Sequence, residues 1–199
     1  MAILDIALMG HPILKGQSQE VTNFRDPELR AFIEDMKETM VHSGGVGLAA
    51  PQVYVPLRIV VFFVPEGRDG EIEVPLTVMI NPVIKPESDE ISEAWEGCLS
   101  VPSLTGVVPR WTQIKYSYQD VDGSLQERSS QGFHARVVQH ECDHLDGILY
   151  PMRMTDISTL SFVDERDEPD AGTVAVEADD PSDEGEAFFA EPDTSETAL

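Results

Sequence analysis

The chain has 199 residues, 41% of them hydrophobic, and carries 37 acidic against 13 basic side chains for a formal net charge of −24. That length suits one domain with one core, and the charge sets nucleic acid aside as a direct ligand for most of the surface. The opening MAILDIALMG has no basic leader and no stretch approaches a membrane span, so a cytoplasmic protein without membrane contact is expected.

Residues 26–41, DPELRAFIEDMKETMV, predict the first helix. Asp26 can cap it, and Pro27 sits in the first turn, where its missing N–H costs nothing. Leu29, Phe32, Ile33, Met36 and Met40 fall on one apolar stripe. Gly44 and Gly45 end it. GGVGLAAPQ (44–52) follows. It lacks the Lys-Ser/Thr ending of a phosphate loop and follows a helix rather than a strand. Its glycines suit close backbone approach to an extended ligand. The Gln52 side-chain amide could donate to an oxyanion, with backbone N–H groups assisting.

LRIVVFFV (57–64) and LTVMIN (76–81) read as buried strands, the second ended by Asn81-Pro82. WEGCLSVP (95–102) places Cys98 between a glycine and a short strand. IKYSYQDVDGSLQERS (114–129) reads as a hairpin with Asp122-Gly123 near its turn. GFHARVVQHECDHLDG (132–147) is a second helix, capped by Ser129 or Ser130 and stopped by Gly147. Phe133, Val137, Val138, Cys142 and Leu145 form its packed face. Strands followed by a late helix indicate an α+β fold. From Asp164 onward there are fourteen acids and one base, Arg166, giving a net −13. The expected division is a domain over 1–163 and an acidic, disordered tail over 164–199. Phe188 and Phe189 are that tail's aromatic cluster, a place where a partner could hold it.

The chemistry concentrates in QHECDH (139–144). On a helix, His140 and His144 lie one turn apart on the same side and can face one metal. Glu141 is placed to take a proton from a water that the metal activates. This is the HExxH arrangement of hydrolytic metal sites, against which stands a helix of ordinary polar residues. A catalytic site needs a third protein ligand and an open position. No histidine follows His144, and the acids downstream lie mostly in the tail. Cys98 would complete a Cys-His-His set, open to Fe(II), Zn, Co or Ni. The plainer reading of Cys98 is a small buried hydrophobe. For Cys142, which points away from the 140/144 face, that plainer reading is preferred. Two cysteines in a cytosolic chain do not suggest a structural disulfide.

Three segments together, GVGLAAPQ (45–52), EGCLS (96–100) and QHECDH (139–144), resemble the peptide deformylase family in content and order. The resemblance spans about residues 5–155, including MGHPIL and the VPR run at 108–110. It implies a compact α+β domain, with mixed or antiparallel strands around a central HExxH helix. The implied activity is removal of the formyl group from N-formylmethionine on nascent polypeptides, with Fe(II) as the usual metal. It implies Cys98, His140 and His144 as metal ligands and Glu141 as the acid–base group. Gln52 and the Leu99 backbone N–H would steady the oxyanion, and Gly45 and Gly97 would bind the substrate main chain. Val46, Phe133, Arg136 and Val137 fall at the methionine pocket and its rim. Glu96 and Arg110 match a buried ion pair that supports the Cys98 loop. Gln139 and Asp143 are expected to support and orient neighbours.

Thr105 stands where some members carry a peptide-contacting arginine. His134 replaces a frequent proline and is expected to be an exposed turn residue. The short 154–165 segment offers no basic helix for ribosome docking, leaving at most a transient contact. A monomer is expected. The competing readings are a related hydrolase acting on another N-acylated amino acid or peptide, and a non-catalytic metal or peptide binder. Glu141 argues against the last.

Overall fold

The computed structural model describes residues 2–67 and 72–165. Two helices, α1 (Pro27–His42) and α2 (Gly132–Leu145), accompany eight strands: β1 (Gly47–Ala49), β2 (Ile59–Val64), β3 (Val74–Pro86), β4 (Ile91–Cys98), β5 (Val101–Trp111), β6 (Gln113–Gln119), β7 (Leu125–Gln131) and β8 (Ser161–Phe162). One antiparallel sheet has the order β1-β2-β3-β6-β7 and a smaller one the order β4-β5-β8. The result is the α+β domain expected.

Period-two alternation in β2 explains how the large sheet serves both helices. Val60 and Phe62 pack with Val137, Val138, Cys142 and Leu145 of α2. Ile59 and Val61 pack with Leu29, Ile33, Met36 and Met40 of α1. Full burial of each such side chain contributes about 1.5–3 kcal/mol. Cys98, Val101, Val108, Leu149 and Tyr150 form a third cluster at the small sheet.

The start of α1 follows the sequence: Asp26 Oδ1 accepts the Glu28 N–H at 2.9 Å. Its end follows too, with Gly44 in the left-handed region at φ 67°. Gly147 takes φ 74° just past α2, where a Cβ would strike the Lys15 backbone. Other expectations need correction. Asn81-Pro82 does not end β3. Asn81 adopts φ 52°, and the register shifts between Ile80 and Val83. Such a bulge tolerates a proline that has no N–H to give. The Asn81 amide bonds both Val21 N and Val21 O at 2.9 Å, in place of a strand partner. Neither Ser129 nor Ser130 caps α2. β7 continues to Gln131, which occupies the cap position without a side-chain hydrogen bond.

The segment around Cys98 is a long hairpin rather than a loop, β4 and β5 pairing from Ile91↔Trp111 to Cys98↔Val101. Cys98 thus ends a strand, with Leu99 and Ser100 as the turn. The stretch expected to be a disordered tail lies outside the described residues, except Asp164 and Glu165, which share a short 3₁₀ turn with Val163. Among the described residues no helix is long and apolar enough to cross a membrane.

Candidate metal centre

The hairpin turn and α2 bring Cys98, His140 and His144 together, all three buried. One donor atom from each lies within 4.8 Å of the others. Cys98 Sγ is 3.4 Å from His144 Nε2. Bonds of about 2.0–2.3 Å to a tetrahedral ion would put donors roughly 3.6 Å apart. The cluster therefore has the spacing, as well as the thiolate and imidazole chemistry, of a single-ion site. Cys142 is not part of it and packs in the core with Phe62.

Glu141 stands beside this triad. Its Oε2 is buried with no hydrogen-bond partner among the described residues, a costly state that a water or cation would relieve. Burial pushes its carboxyl up to about 7. A cation held by the three neighbours would favour the ionised form, which accepts a proton. A cavity of about 10 Å3 is bounded by Gly47, Gln52, Gly97, Cys98, Leu99, His140 and Glu141. A buried water needs about 10–15 Å3.

Gln52 comes from the 3₁₀ turn Ala50–Val53 that follows β1. Its Oε1 accepts the Ala49 N–H at 2.8 Å, which fixes the amide's orientation. Its Nε2 then faces Cys98 Sγ at 3.5 Å and Ser100 Oγ at 3.2 Å. The donor thus points at the triad, as an oxyanion contact requires.

Behind the triad is a buried charge cluster. Arg110 grips Glu96 through two bonds, Nε to Oε1 and Nη2 to Oε2, both 2.9 Å. Glu96 Oε2 pairs with His140 Nδ1 at 2.8 Å, leaving Nε2 for the metal side. Burial alone would raise the Glu96 carboxyl, but Arg110 and His140 hold it well below the usual carboxylate range. Among the described residues no such partner is found for His144 Nδ1, which is buried.

The remaining expectations divide. Gly97 and Leu99 line the small cavity. Gly45 lies against the Leu99 side chain, which a Cβ there would touch. Val46, Phe133 and Val137 share one buried core cluster, and the small cavity does not reach them. Arg136 departs from its expected place at a pocket rim. Its guanidinium donates to Glu96 Oε1 and the Val108 carbonyl at 2.8 Å and to the Ser92 carbonyl at 2.9 Å. The spacing held a clue: Arg136 is one helical turn before His140, so both can reach Glu96. His134 is not an exposed turn residue. It is half-buried in the first turn of α2, with Nε2 2.9 Å from the Tyr116 hydroxyl and its ring near Phe62. Burial lowers its pKa to about 4. The Thr105 hydroxyl is buried and donates to the Glu96 carbonyl at 3.0 Å. Gln139 clamps α2 to β5, accepting from Trp111 N at 3.1 Å and donating to Trp111 O at 2.9 Å.

Gly47 was not singled out from the sequence. A Cβ there would fall on the Glu141 carboxylate. Gly47→Ala should therefore displace that group and lower kcat about 10²-fold, since displacements of about 1 Å can cost that much. Gly16→Ala is the control, because nothing lies within 4 Å of a Cβ there. Equal activities in the two variants would show that Glu141 tolerates displacement.

A thiolate, two imidazoles and an adjacent carboxylate on an α+β scaffold define a metal-dependent hydrolase of the HExxH class. Residues 3–159 match the polypeptide deformylase family. The chain belongs to that family. It is 52% identical over 161 residues to peptide deformylase 1 of Bordetella pertussis, covering 80% of this chain and 92% of that protein. It is 48% identical over 165 residues to peptide deformylase 1 of Nitrosomonas europaea, covering 81% and 93%. Among solved structures, the peptide deformylase of Thermotoga maritima matches with a TM-score of 0.72 and 39% identity, covering 78% of this chain and all of that one. A class I type b peptide deformylase from Acinetobacter baumannii, crystallised with Met-Ala-Ser bound, matches with a TM-score of 0.72 at 39% identity, covering 77% and 99%.

Proposed function

We propose that this chain hydrolyses the formyl group from the N-terminal formylmethionine of nascent polypeptides. The observation that carries the reading is the Cys98–His140–His144 cluster with the unpartnered Glu141 Oε2 at its side. Cys98, His140 and His144 hold the ion, with Fe(II) as the native metal and Zn, Ni or Co as substitutes. The ion, when bound, polarises a carbonyl and makes water acidic enough to attack near neutral pH. Glu141 takes a proton from the attacking water, whose oxygen joins the formyl carbon. The Gln52 amide and the Leu99 N–H donate to the oxyanion that forms. Glu141 then gives the proton to the leaving nitrogen as the C–N bond breaks. The products are formate and a peptide with a free amino terminus.

The backbones at Gly45 and Gly97 hold the substrate main chain, and Val46, Phe133 and Val137 receive the methionine side chain. A related structure holding Met-Ala-Ser supports this, because that peptide is what deformylation of its formylated form would leave. The small cavity at the ion favours a formyl hydrogen over an acetyl methyl. We place the catalytic unit at 1–163, working as a cytoplasmic monomer that meets the ribosome transiently. The acidic stretch 164–199 has no catalytic role.

Anaerobically purified, Fe(II)-loaded protein should cleave formyl-Met-Ala-Ser and leave acetyl-Met-Ala-Ser intact. A chain ending at residue 163 should perform equally. Acetyl cleavage at a comparable rate would defeat the substrate assignment, and a large loss in the shortened chain would refute a passive tail.

A further inference from the structure

We propose that Arg153, at the turn after α2, is a positioning residue for His140, acting through a relay of charged side chains; this rests on the metal-site reading above. Arg153 Nη2 donates to Asp143 Oδ1 at 2.7 Å, and its Nε donates to Oδ2 at 3.1 Å. Arg110 Nη1 donates to that same Oδ2 at 2.5 Å. The other edge of the Arg110 guanidinium forks onto Glu96, and Glu96 Oε2 meets His140 Nδ1. Four charged side chains thus run in unbroken hydrogen-bond contact from the surface to the ring of one ligand.

The sharing of one planar guanidinium between two carboxylates gives Arg153 its leverage. Asp143 has little exposure, its side chain being 11% accessible, so both of its oxygens need donors. Arg153 supplies both. Arg110, with five N–H groups, then holds one on Asp143 and two on Glu96 in a single plane. Without Arg153, Oδ1 loses its donor while the carboxylate keeps its charge. The nearest cation able to answer is Arg110, and because its guanidinium is a rigid plane, a tilt that brings Nη1 closer to Asp143 carries Nε and Nη2 away from Glu96. The oxygen that suffers, Oε2, is the one that fixes His140. Arg136 still holds Oε1, so the Glu96 carboxylate gains freedom about that remaining anchor. The imidazole can then tilt from the direction in which it meets the ion.

Arg153 suits a test, because its side chain is 46% exposed whereas Arg110 and Glu96 are 5% and 0%. It also borders an open cavity of about 540 Å3, so trimming it leaves no void in the core. Arg153→Met keeps the apolar stem and removes the charge. We expect Co(II) to leave this variant faster under excess chelator by about threefold to tenfold, less than the 10–100-fold typical when a ligand's direct partner is removed. The Co(II) absorption spectrum should shift, and kcat should fall while KM holds. Arg153→Lys should restore part of the retention. The decisive variant is Arg153→Met combined with Asp143→Asn. It removes the uncompensated charge, so its release rate should return toward that of the parent.

If the single variant releases Co(II) at the parent rate with an unchanged spectrum, the relay is refuted and Arg153 is only a structural clamp. If the double variant releases metal faster than the single one, the charge argument is refuted. Metal release needs no formyl substrate, so failure of the proposed reaction would leave this test intact.

Discussion

Glu141→Ala should leave metal content unchanged and lower kcat about 10²–10⁴-fold, the range contributed by a positioned general acid–base group. The reasoning is geometric. Glu141 is not among the three clustered donors, so its removal leaves Cys98, His140 and His144 in place. Among the described residues its Oε2 is one of the buried polar atoms without a hydrogen-bond partner, and it is the carboxylate oxygen beside the three donors. A carboxylate kept buried and unpaired is costly, and its retention makes sense if it acts on water beside the ion. The measurement is steady-state kinetics with elemental analysis of the same sample. Near-parent turnover with full metal occupancy would remove Glu141 from the mechanism.

Glu96→Ala should have the largest effect on stability, about 3–5 kcal/mol, the cost of breaking a buried ion pair by deleting one partner. Three groups lose an acceptor at once, Arg110, Arg136 and His140, although Arg110 keeps Asp143 and Arg136 keeps the Val108 and Ser92 carbonyls. Two of them are guanidiniums that cannot discharge, so the deletion strands positive charge in a dry interior. Metal affinity should fall together with stability, because His140 Nδ1 loses the group that orients it. Denaturant unfolding of the metal-free forms separates the two effects. A loss below about 1 kcal/mol would mean that water enters the cluster and solvates the arginines. The pH dependence has a definite sign. The folded-state pKa of Glu96 is depressed, so its contribution is complete at neutral pH. It is lost progressively as pH falls from the ordinary carboxylate value of 4.5 toward that depressed value.

The sequence revealed the site more readily than the frame around it. His140, Glu141 and His144 were legible because helical spacing is local and their chemistry is specific to their types. Cys98 was legible by what it could ligate, although its strand was not. β4 and β5 carry Glu93, Glu96, Pro102 and Pro109 and lack clean alternation, so beyond the short strand expected after Cys98 their extent has no signal until they pair. Asn81-Pro82 looked like a strand end because a bulge is specified by a neighbouring strand, which local sequence does not contain. The same limit hid Arg153. Its partner Asp143 is ten residues away, and the turn between them gives no periodic signal. Arg136 was misplaced for a different reason. Its position on α2 was right, but a long flexible side chain can direct its charge to any neighbour within reach.

The three donors belong to separate layers: Cys98 closes a strand of the small sheet, whereas His140 and His144 ride on a helix packed against the large one. An ion gripping all three is therefore also a brace, bolting one half of the domain to the other. Whatever binds the native form alone raises the work needed to unfold it. Loading with metal and resistance to heat or proteases become one property, and a starved protein would be silent and short-lived together.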